Sequence, residues 1–157
     1  MENHQINKLI IKTPIGNMLA VSDGQALHSL EFTEEATPAS TKDALLLSLK
    51  KELDEYFDGK RQEFTVPLAP VGTPFQTSVW YTLEQIPYGE TVSYAKESEM
   101  LGRPSAVRAV ASANGKNPIA ILIPCHRVIA SNGGIGGYNG GIWRKEFLLE
   151  LEAKNNK

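Results

Sequence analysis

The 157-residue chain contains one cysteine, Cys125. No disulfide can form within it, and no cluster of thiolate ligands can be built. His4, His28 and His126 are scattered, with no second cysteine beside any of them, which removes the spacings of a metal site. A lone thiol suits a reducing compartment, so a cytoplasmic protein is expected. Long apolar runs are missing as well. Nothing approaches the roughly 18–20 apolar residues of a membrane span, and the opening MENHQINKLI lacks a basic segment followed by an apolar one, so neither a span nor a secretory leader is expected. Nor is there an excess of one charge: 16 basic residues face 18 acidic ones, so a general polyanion-binding surface is excluded and any nucleic-acid contact has to be local. At 41% hydrophobic the chain can bury a real core, enough for one ordinary domain or one with a small appendage.

What is present has two textures. Three β-type runs, INKLIIKTPIG, NMLAVSDGQ and ALHSLEF, are separated by the turn signals Pro14-Ile15-Gly16 and Asp23-Gly24 and predict a small antiparallel sheet. After a polar link from Thr33 to Lys42, Leu46, Leu49, Leu53, Tyr56 and Phe57 fall at helical spacing in a run that ends at Gly59, and a second extended piece, QEFTVPLAP, follows. From Thr73 the pattern turns helical. Phe75, Val79, Leu83 and Ile86 share one face of a helix that stops before Pro87-Tyr88-Gly89. Thr91 or Ser93 can cap a second helix running through Leu101, and Gly102-Arg103 separates it from a third that starts with Pro104 in its first turn and ends at Asn114-Gly115. Two short helices about a tight turn predict a helix-turn-helix corner, a pattern that many helical domains share. The expected fold class is α+β: a small N-terminal domain of residues 1–70 with an antiparallel sheet plus a helix, and a mainly helical C-terminal domain of residues 71–157, the boundary lying between 68 and 73.

The third helix, PSAVRAVASANG, gathers Ser105, Ala106, Ala109, Ala111, Ser112 and Ala113 around one long cation, Arg108. Small side chains allow a close approach, either to another helix or to a nucleic-acid groove; the projecting cation favours the groove. KNPIAILIPCHRVI then reads as a loop and a buried extended run that delivers Cys125. A cysteine in an aliphatic stretch is by itself most often an inert core residue. Here Pro124 fixes the backbone before it and His126 and Arg127 follow, so the thiol is expected to ionise more readily than its free value of ~8.5 allows and is a candidate nucleophile. On a regular strand His126 would point away from Cys125, so a turn or a bridging water is needed for the two to cooperate. SNGGIGGYNGG has neither the Gly-Lys-Ser/Thr of a P-loop nor the strand–helix context of a dinucleotide fingerprint, and is expected to be a mobile lid. WRKEFLLELEAKNNK closes the chain as a helix with Phe147, Leu148 and Leu151 facing inward.

IPCHRV at 123–128, preceded by Asn117-Pro118 and followed by GGYNGG, resembles the active-site region of the O6-alkylguanine-DNA alkyltransferases, also called methylated-DNA–protein-cysteine methyltransferases. The resemblance covers most of the chain. TPIGNMLAVSDGQALHSLEF is similar to the family's N-terminal domain, and TPFQTSVW with IPYGETVSYAKESEMLGRPSAVRAVASANGKNPIAILIPCHRVI to its C-terminal domain. It implies a ribonuclease H-like N-terminal domain and a single-use DNA repair protein, active on alkylated double-stranded DNA as a monomer without a cofactor. Its helix-turn-helix enters the minor groove, an arginine fills the space of an extruded guanine, and the alkyl group passes irreversibly from O6 of that base to the cysteine, O4-alkylthymine being an alternative lesion. Carried over by position, Cys125 is the acceptor, Arg108 the arginine finger, and Tyr94 the tyrosine that helps rotate the nucleotide out. Asn117 supports the active-site turn, Glu152 orients His126, and Pro124, Tyr138 and Asn139 flank the alkylguanine. Ala109, Arg103 and Ser131 are further candidates for DNA contact. Family members with a zinc site in the N-terminal domain build it from cysteines absent here, so no metal is expected. The helix AKESEM is more charged than in many relatives.

The residue types suit the chemistry. Sulfur attack on an alkyl carbon needs a thiolate, which a Glu152–His126–water–Cys125 relay can generate, and the departing guanine needs a donor such as the Tyr94 phenol. The target atom is inaccessible in a stacked duplex, so the base has to be flipped out. Two rivals are weaker. Alkyltransferase-like recognition proteins typically carry tryptophan where Cys125 stands, and a thiol hydrolase using Cys125 and His126 would leave the Arg108 helix without a role.

Overall fold

Alternating side chains build the N-terminal unit of the computed structural model, which describes residues 6–36 and 41–156 and divides into two units, Met1–Val71 and Gly72–Lys157. His4 and residues 37–40 of the polar link lie outside the described residues. Strands β1 (Asn7–Thr13), β2 (Gly16–Ser22) and β3 (Leu27–Phe32) form an antiparallel sheet in that order. Leu9 and Ile11 lie opposite Ala20 and Met18, and Ala20 opposite Leu30, all buried on one face as the two-residue period requires. A register shift at Val21/Ser22 lets Leu27 and Leu30, an odd number of residues apart, both point inward. Helix α1 (Ala44–Phe57) is capped by Asp43, whose Oδ1 accepts from Leu45 N at 3.0 Å, and it lays Leu46, Leu49, Leu53 and Tyr56 against the sheet. Buried Glu52 on that helix accepts from the Thr65 amide at 2.9 Å and from its hydroxyl, which ties down the extended piece after the helix. Leu68 on that piece then bridges Leu27 in parallel.

The C-terminal unit starts with a capping box. Thr73 Oγ1 accepts from Gln76 N at 3.1 Å, the Gln76 side chain accepts from Thr73 N at 3.0 Å, and Pro74 opens helix α2 (Pro74–Leu83). Val79, Trp80 and Leu83 are buried, and Trp80 Nε1 donates to Ala113 O at 2.9 Å, joining α2 to helix α4 (Val107–Gly115). Strand β4 (Val92–Ser93) runs into helix α3 (Tyr94–Met100), which Ser93 caps. The third sequence helix starts later than its pattern predicts. Residues 103–106 close their own turn, Ala106 N donating to Arg103 O at 3.0 Å, and this puts Pro104 at the turn's second position, where its fixed φ fits. Gly102, at φ 83°, provides the reversal between α3 and α4.

The run before Cys125 is not extended. Asn117 Oδ1 accepts from Ile119 N at 3.0 Å, Ile123 N donates to Ile119 O at 3.1 Å, and Ile121 takes φ 72°, a left-handed conformation rare for a β-branched residue. Ile119, Ile121, Leu122 and Ile123 are therefore buried in successive turns rather than along a strand. A 3₁₀ turn, Cys125–Arg127, leads into β5 (Val128–Ile129), which pairs in parallel with β4. Helix α5 (Ile142–Asn155) buries Lys145, Leu148 and Glu152, while Phe147 and Leu151 are half-buried. No helix among the described residues is long and apolar enough to cross a membrane.

Replacing Thr73 with alanine removes one half of the capping box. It is expected to destabilise the C-terminal unit by about 1 kcal/mol, read as a lower urea midpoint with an unchanged slope. An unchanged midpoint would show that the box does not hold the start of α2.

Candidate active site

The thiol is placed by a turn and held by an amide. Pro124 precedes the 3₁₀ turn, and Asn117 Nδ2 donates both to Ile123 O at 2.8 Å and to Cys125 Sγ at 3.4 Å. With Oδ1 on Ile119 N, the Asn117 side chain bridges both ends of the strained 119–123 segment and reaches the sulfur. The thiol does not rest as the readily ionised group its neighbours predict. Burial pushes its pKa up, and the Asn117 hydrogen bond and the Lys145 charge offset this only in part.

Behind the turn, one carboxylate gathers four donors. Glu152 Oε2 meets His126 Nε2 at 2.7 Å and Arg127 Nη2 at 3.0 Å, while Oε1 accepts from Arg127 Nε at 2.8 Å and Gly89 N at 3.1 Å. Arg127 Nη1 donates to Ile86 O at 2.7 Å, and its guanidinium lies 5.7 Å from the centre of the Tyr88 ring. All three charged or titratable side chains are buried. Burial alone would raise the Glu152 carboxyl; His126 and then Arg127 overwhelm it and hold the group well below the ordinary carboxylate range. Arg127 keeps its charge whatever His126 does, so Glu152 stays ionised and needs no imidazolium. Burial lowers the His126 pKa despite Glu152, which leaves a neutral ring. A carboxylate only accepts, so Nε2 carries the proton and Nδ1 presents a lone pair. Nδ1 is buried with no partner among the described residues.

Cys125 forms part of the wall of a cavity of about 260 Å³ lined also by Tyr94, Ala111, Asn114, Gly115, Gly137, Tyr138 and Asn139. That volume is near the lower end for small-molecule sites, the scale of one planar ring system rather than an extended ligand. Burial raises the Tyr94 phenol even though the Gly137 amide hydrogen-bonds it, and burial followed by Cys125 raises Tyr138 much further, so both rings are neutral. The glycine-rich segment is anchored at several points. Lys145 Nζ donates to Val128 O at 2.6 Å and Gly137 O at 3.0 Å, and the Asn139 amide donates to Gly115 O. Gly136, at φ 76°, is required there, since a Cβ would stand 3.2 Å from both Lys145 Nζ and Tyr94 Oη. Burial brings the Lys145 pKa down to about 8 against the pull of Cys125, so the ammonium is the cation that favours a thiolate in this cavity.

The structure thus brings together Tyr94, Cys125, Tyr138 and Asn139 at one cavity, with Asn117 on the sulfur and His126 and Glu152 behind it. Pro124 is buried and does not line the cavity. Arg108, Ala109, Ala111 and Ser112 form the exposed face of α4, while Val110, Ala113 and Asn114 face inward, so the small residues are not spent on helix packing. Arg103 is exposed, its guanidinium 5.7 Å from the centre of the Phe75 ring, and Ser131 is exposed beyond the cavity lining. Sequence reasoning missed Lys145, Asn114 and the pairing role of Arg127. The signal for Lys145 was there: it shares with Leu148 and Glu152 a buried stripe at helical spacing, and a charge on such a stripe marks a buried partner.

Two protein-family models match the chain: the ribonuclease-like domain of 6-O-methylguanine DNA methyltransferase over residues 6–70, and its DNA binding domain over residues 74–154. The methylated-DNA–protein-cysteine methyltransferase of Methanosarcina acetivorans is 43% identical over 150 residues, spanning 92% of this chain and 96% of the relative. The inducible methylated-DNA–protein-cysteine methyltransferase of Bacillus subtilis is 50% identical over 152 residues, with 94% and 85% covered. The crystal structure of Mycobacterium tuberculosis O6-methylguanine methyltransferase superposes with a TM-score of 0.86 at 41% identity, covering 96% of this chain and 94% of that one. The structure of OGT from the same organism in complex with DNA gives 0.86 at 43% identity, with 93% and 92% covered.

Glu152→Gln is expected to cost about 3–5 kcal/mol, because it leaves the Arg127 guanidinium buried without a counter-charge. The folded carboxyl lies below its ordinary 4.5, so its contribution is present above that value and is lost as pH falls through the folded one. Urea unfolding should show a gap between wild type and variant that is constant from about pH 6 to 8 and narrows below about pH 4.5. A gap independent of acid would remove the carboxylate from this role.

Proposed function

This chain belongs to the 6-O-methylguanine DNA methyltransferase family, and we propose that it repairs DNA directly, taking the alkyl group of O6-alkylguanine in duplex DNA onto Cys125. The observation that carries this reading is the placement of the one thiol: at the wall of a ring-sized cavity, held by Asn117 and backed by the neutral His126 and ionised Glu152.

In this reading His126 Nδ1 takes the thiol proton, directly or through one water, and Glu152 stabilises the imidazolium that results. Lys145 stabilises the thiolate. Sulfur attacks the alkyl carbon in line, the carbon–O6 bond breaks, and its electron pair leaves with the guanine. The neutral Tyr94 phenol supplies a hydrogen bond or proton to the departing base. A thioether has no good leaving group, so each molecule reacts once. No metal or organic cofactor enters any step. O4-alkylthymine, also a flat base bearing an O-alkyl group, is the second lesion proposed.

A base inside a stacked duplex cannot reach such a cavity and has to be flipped, at a cost of a few kcal/mol that damage reduces. The exposed face of α4 supports that step. Ala109, Ala111 and Ser112 let the helix backbone approach a minor groove, with Arg108 placed to fill the gap in the stack. Arg103 and Ser131 are proposed as phosphate contacts.

Incubation with duplex DNA carrying one O6-methylguanine should add a single methyl to the peptide containing Cys125, once per molecule, as the lesion disappears. Cys125→Ala should bind the same DNA without transfer; transfer surviving in that variant would sink the assignment. Arg108→Ala is expected to slow repair of duplex substrate at least tenfold while hardly changing reaction with the free alkylated base, and equal losses on both would remove its role in extrusion.

A further inference from the structure

Beyond the hub at Glu152, a second carboxyl is fully buried in this unit and no step above uses it. Glu97, on α3, is wholly inaccessible, and its Oε1 accepts from Asn114 Nδ2 on α4 at 2.8 Å. The other two polar atoms of this pair are both acceptors and both orphaned: Glu97 Oε2 and Asn114 Oδ1 are buried with no partner among the described residues. Each orphan would carry a desolvation penalty of about 1–3 kcal/mol. The neighbouring Ser98 hydroxyl does not reach either one, being itself buried and unpartnered. One proton removes both defects. On Oε2 it turns the carboxylate into an acid whose O–H can donate to Asn114 Oδ1, while Asn114 Nδ2 still donates to Oε1, a pairing of two planar groups through two hydrogen bonds.

We infer that Glu97 is a neutral carboxylic acid in the resting protein and acts as a positioning residue, its acid–amide pair with Asn114 fixing the cavity wall beside Cys125 and keeping negative charge away from the sulfur. As a role in alkyl transfer, this rests on the proposed function. Asn114 is the link, since it lines the Cys125 cavity and its side chain is held by Glu97.

The surroundings favour the neutral acid. On its own helix Lys96 and Glu99 are exposed, and Tyr94 faces the cavity. α4 presents Asn114 and turns Arg108 outward, and α2, β4 and β5 carry no charged residue. Burial accordingly lifts the Glu97 carboxyl to about 7, with the Asn114 hydrogen bond opposing it. The coupling reaches the reacting group, because an ionised Glu97 raises the Cys125 thiol and the Tyr94 phenol. Stability follows the same sign: a folded value above the ordinary 4.5 means that the stabilisation is full below that value and fades as pH rises through about 7.

Two measurements on the intact protein test this. The side-chain carboxyl carbon of Glu97, assigned by its disappearance in Glu97→Gln, should titrate by NMR with a midpoint near 7, and the Asn114 amide protons should shift with it. A midpoint near the ordinary value of 4.5, or an Asn114 signal indifferent to that titration, would overturn the pair. Glutamine mimics the protonated acid permanently, donating from Nε2 and accepting at Oε1. Single-turnover methyl transfer to Cys125 should therefore show a several-fold rise in the ratio of Glu97→Gln to wild-type rate between about pH 6 and 9. Parallel pH profiles would overturn the positioning role. Absence of methyl on Cys125 at every pH would overturn the proposed function instead, and the NMR titration would still decide the pair.

Discussion

A buried carboxylate that cannot be left alone organises the catalytic half of this chain. Glu152 sits near the end of the last helix, and the desolvation of its charge is offset only if donors converge on it from elsewhere. They come from the amide of Gly89, the imidazole of His126 and two nitrogens of Arg127. Arg127 in turn reaches the Ile86 carbonyl at the end of the segment that follows α2. One group therefore fixes α5 against the 3₁₀ turn, orients the histidine and sets its tautomer. The thiol two residues before that arginine inherits its position from the same constraint. Such a hub contributes little net stability compared with an apolar replacement, but it specifies one arrangement, because any other would strand a charge.

Much of this was legible as pattern. The strand runs, the stripe of Leu46, Leu49 and Leu53, and the capping chemistry at Thr73 and Ser93 are local signals, and local structure follows them. The extended run expected before Cys125 failed for an identifiable reason. Apolar composition reports burial and not backbone shape, and the Asn117 side chain, bonding to Ile119 and Ile123, coils the segment into turns that a hydropathy reading cannot see. The parallel pairing of β4 with β5 was invisible as well, since a two-residue ladder between Val92 and Val128 leaves no period to detect.

Site residues divided along the same line. Those carried by a recognisable motif, Cys125, His126 and Asn117, could be named from the chain alone. Lys145 and Glu97 could not, because what singles them out is burial, and each looks in sequence like an ordinary charge on a surface helix. Only their partners, carbonyl oxygens in one case and an amide in the other, show how their polar ends are accommodated inside.

The raised thiol has a physical logic in a protein whose nucleophile is consumed. Reactivity toward oxidants and stray electrophiles follows thiolate character and exposure. A thiol kept protonated by burial, with its base set behind it and Lys145 as the nearby cation, is quiet at rest and becomes a thiolate only when proton removal is coupled to attack. A permanently ionised cysteine would react faster with everything, and a molecule that acts once gains nothing from that. The same cavity therefore does two opposed things, suppressing ionisation in the resting state and stabilising it during reaction, and the groups that decide the balance are those whose charge depends on burial rather than on sequence neighbours.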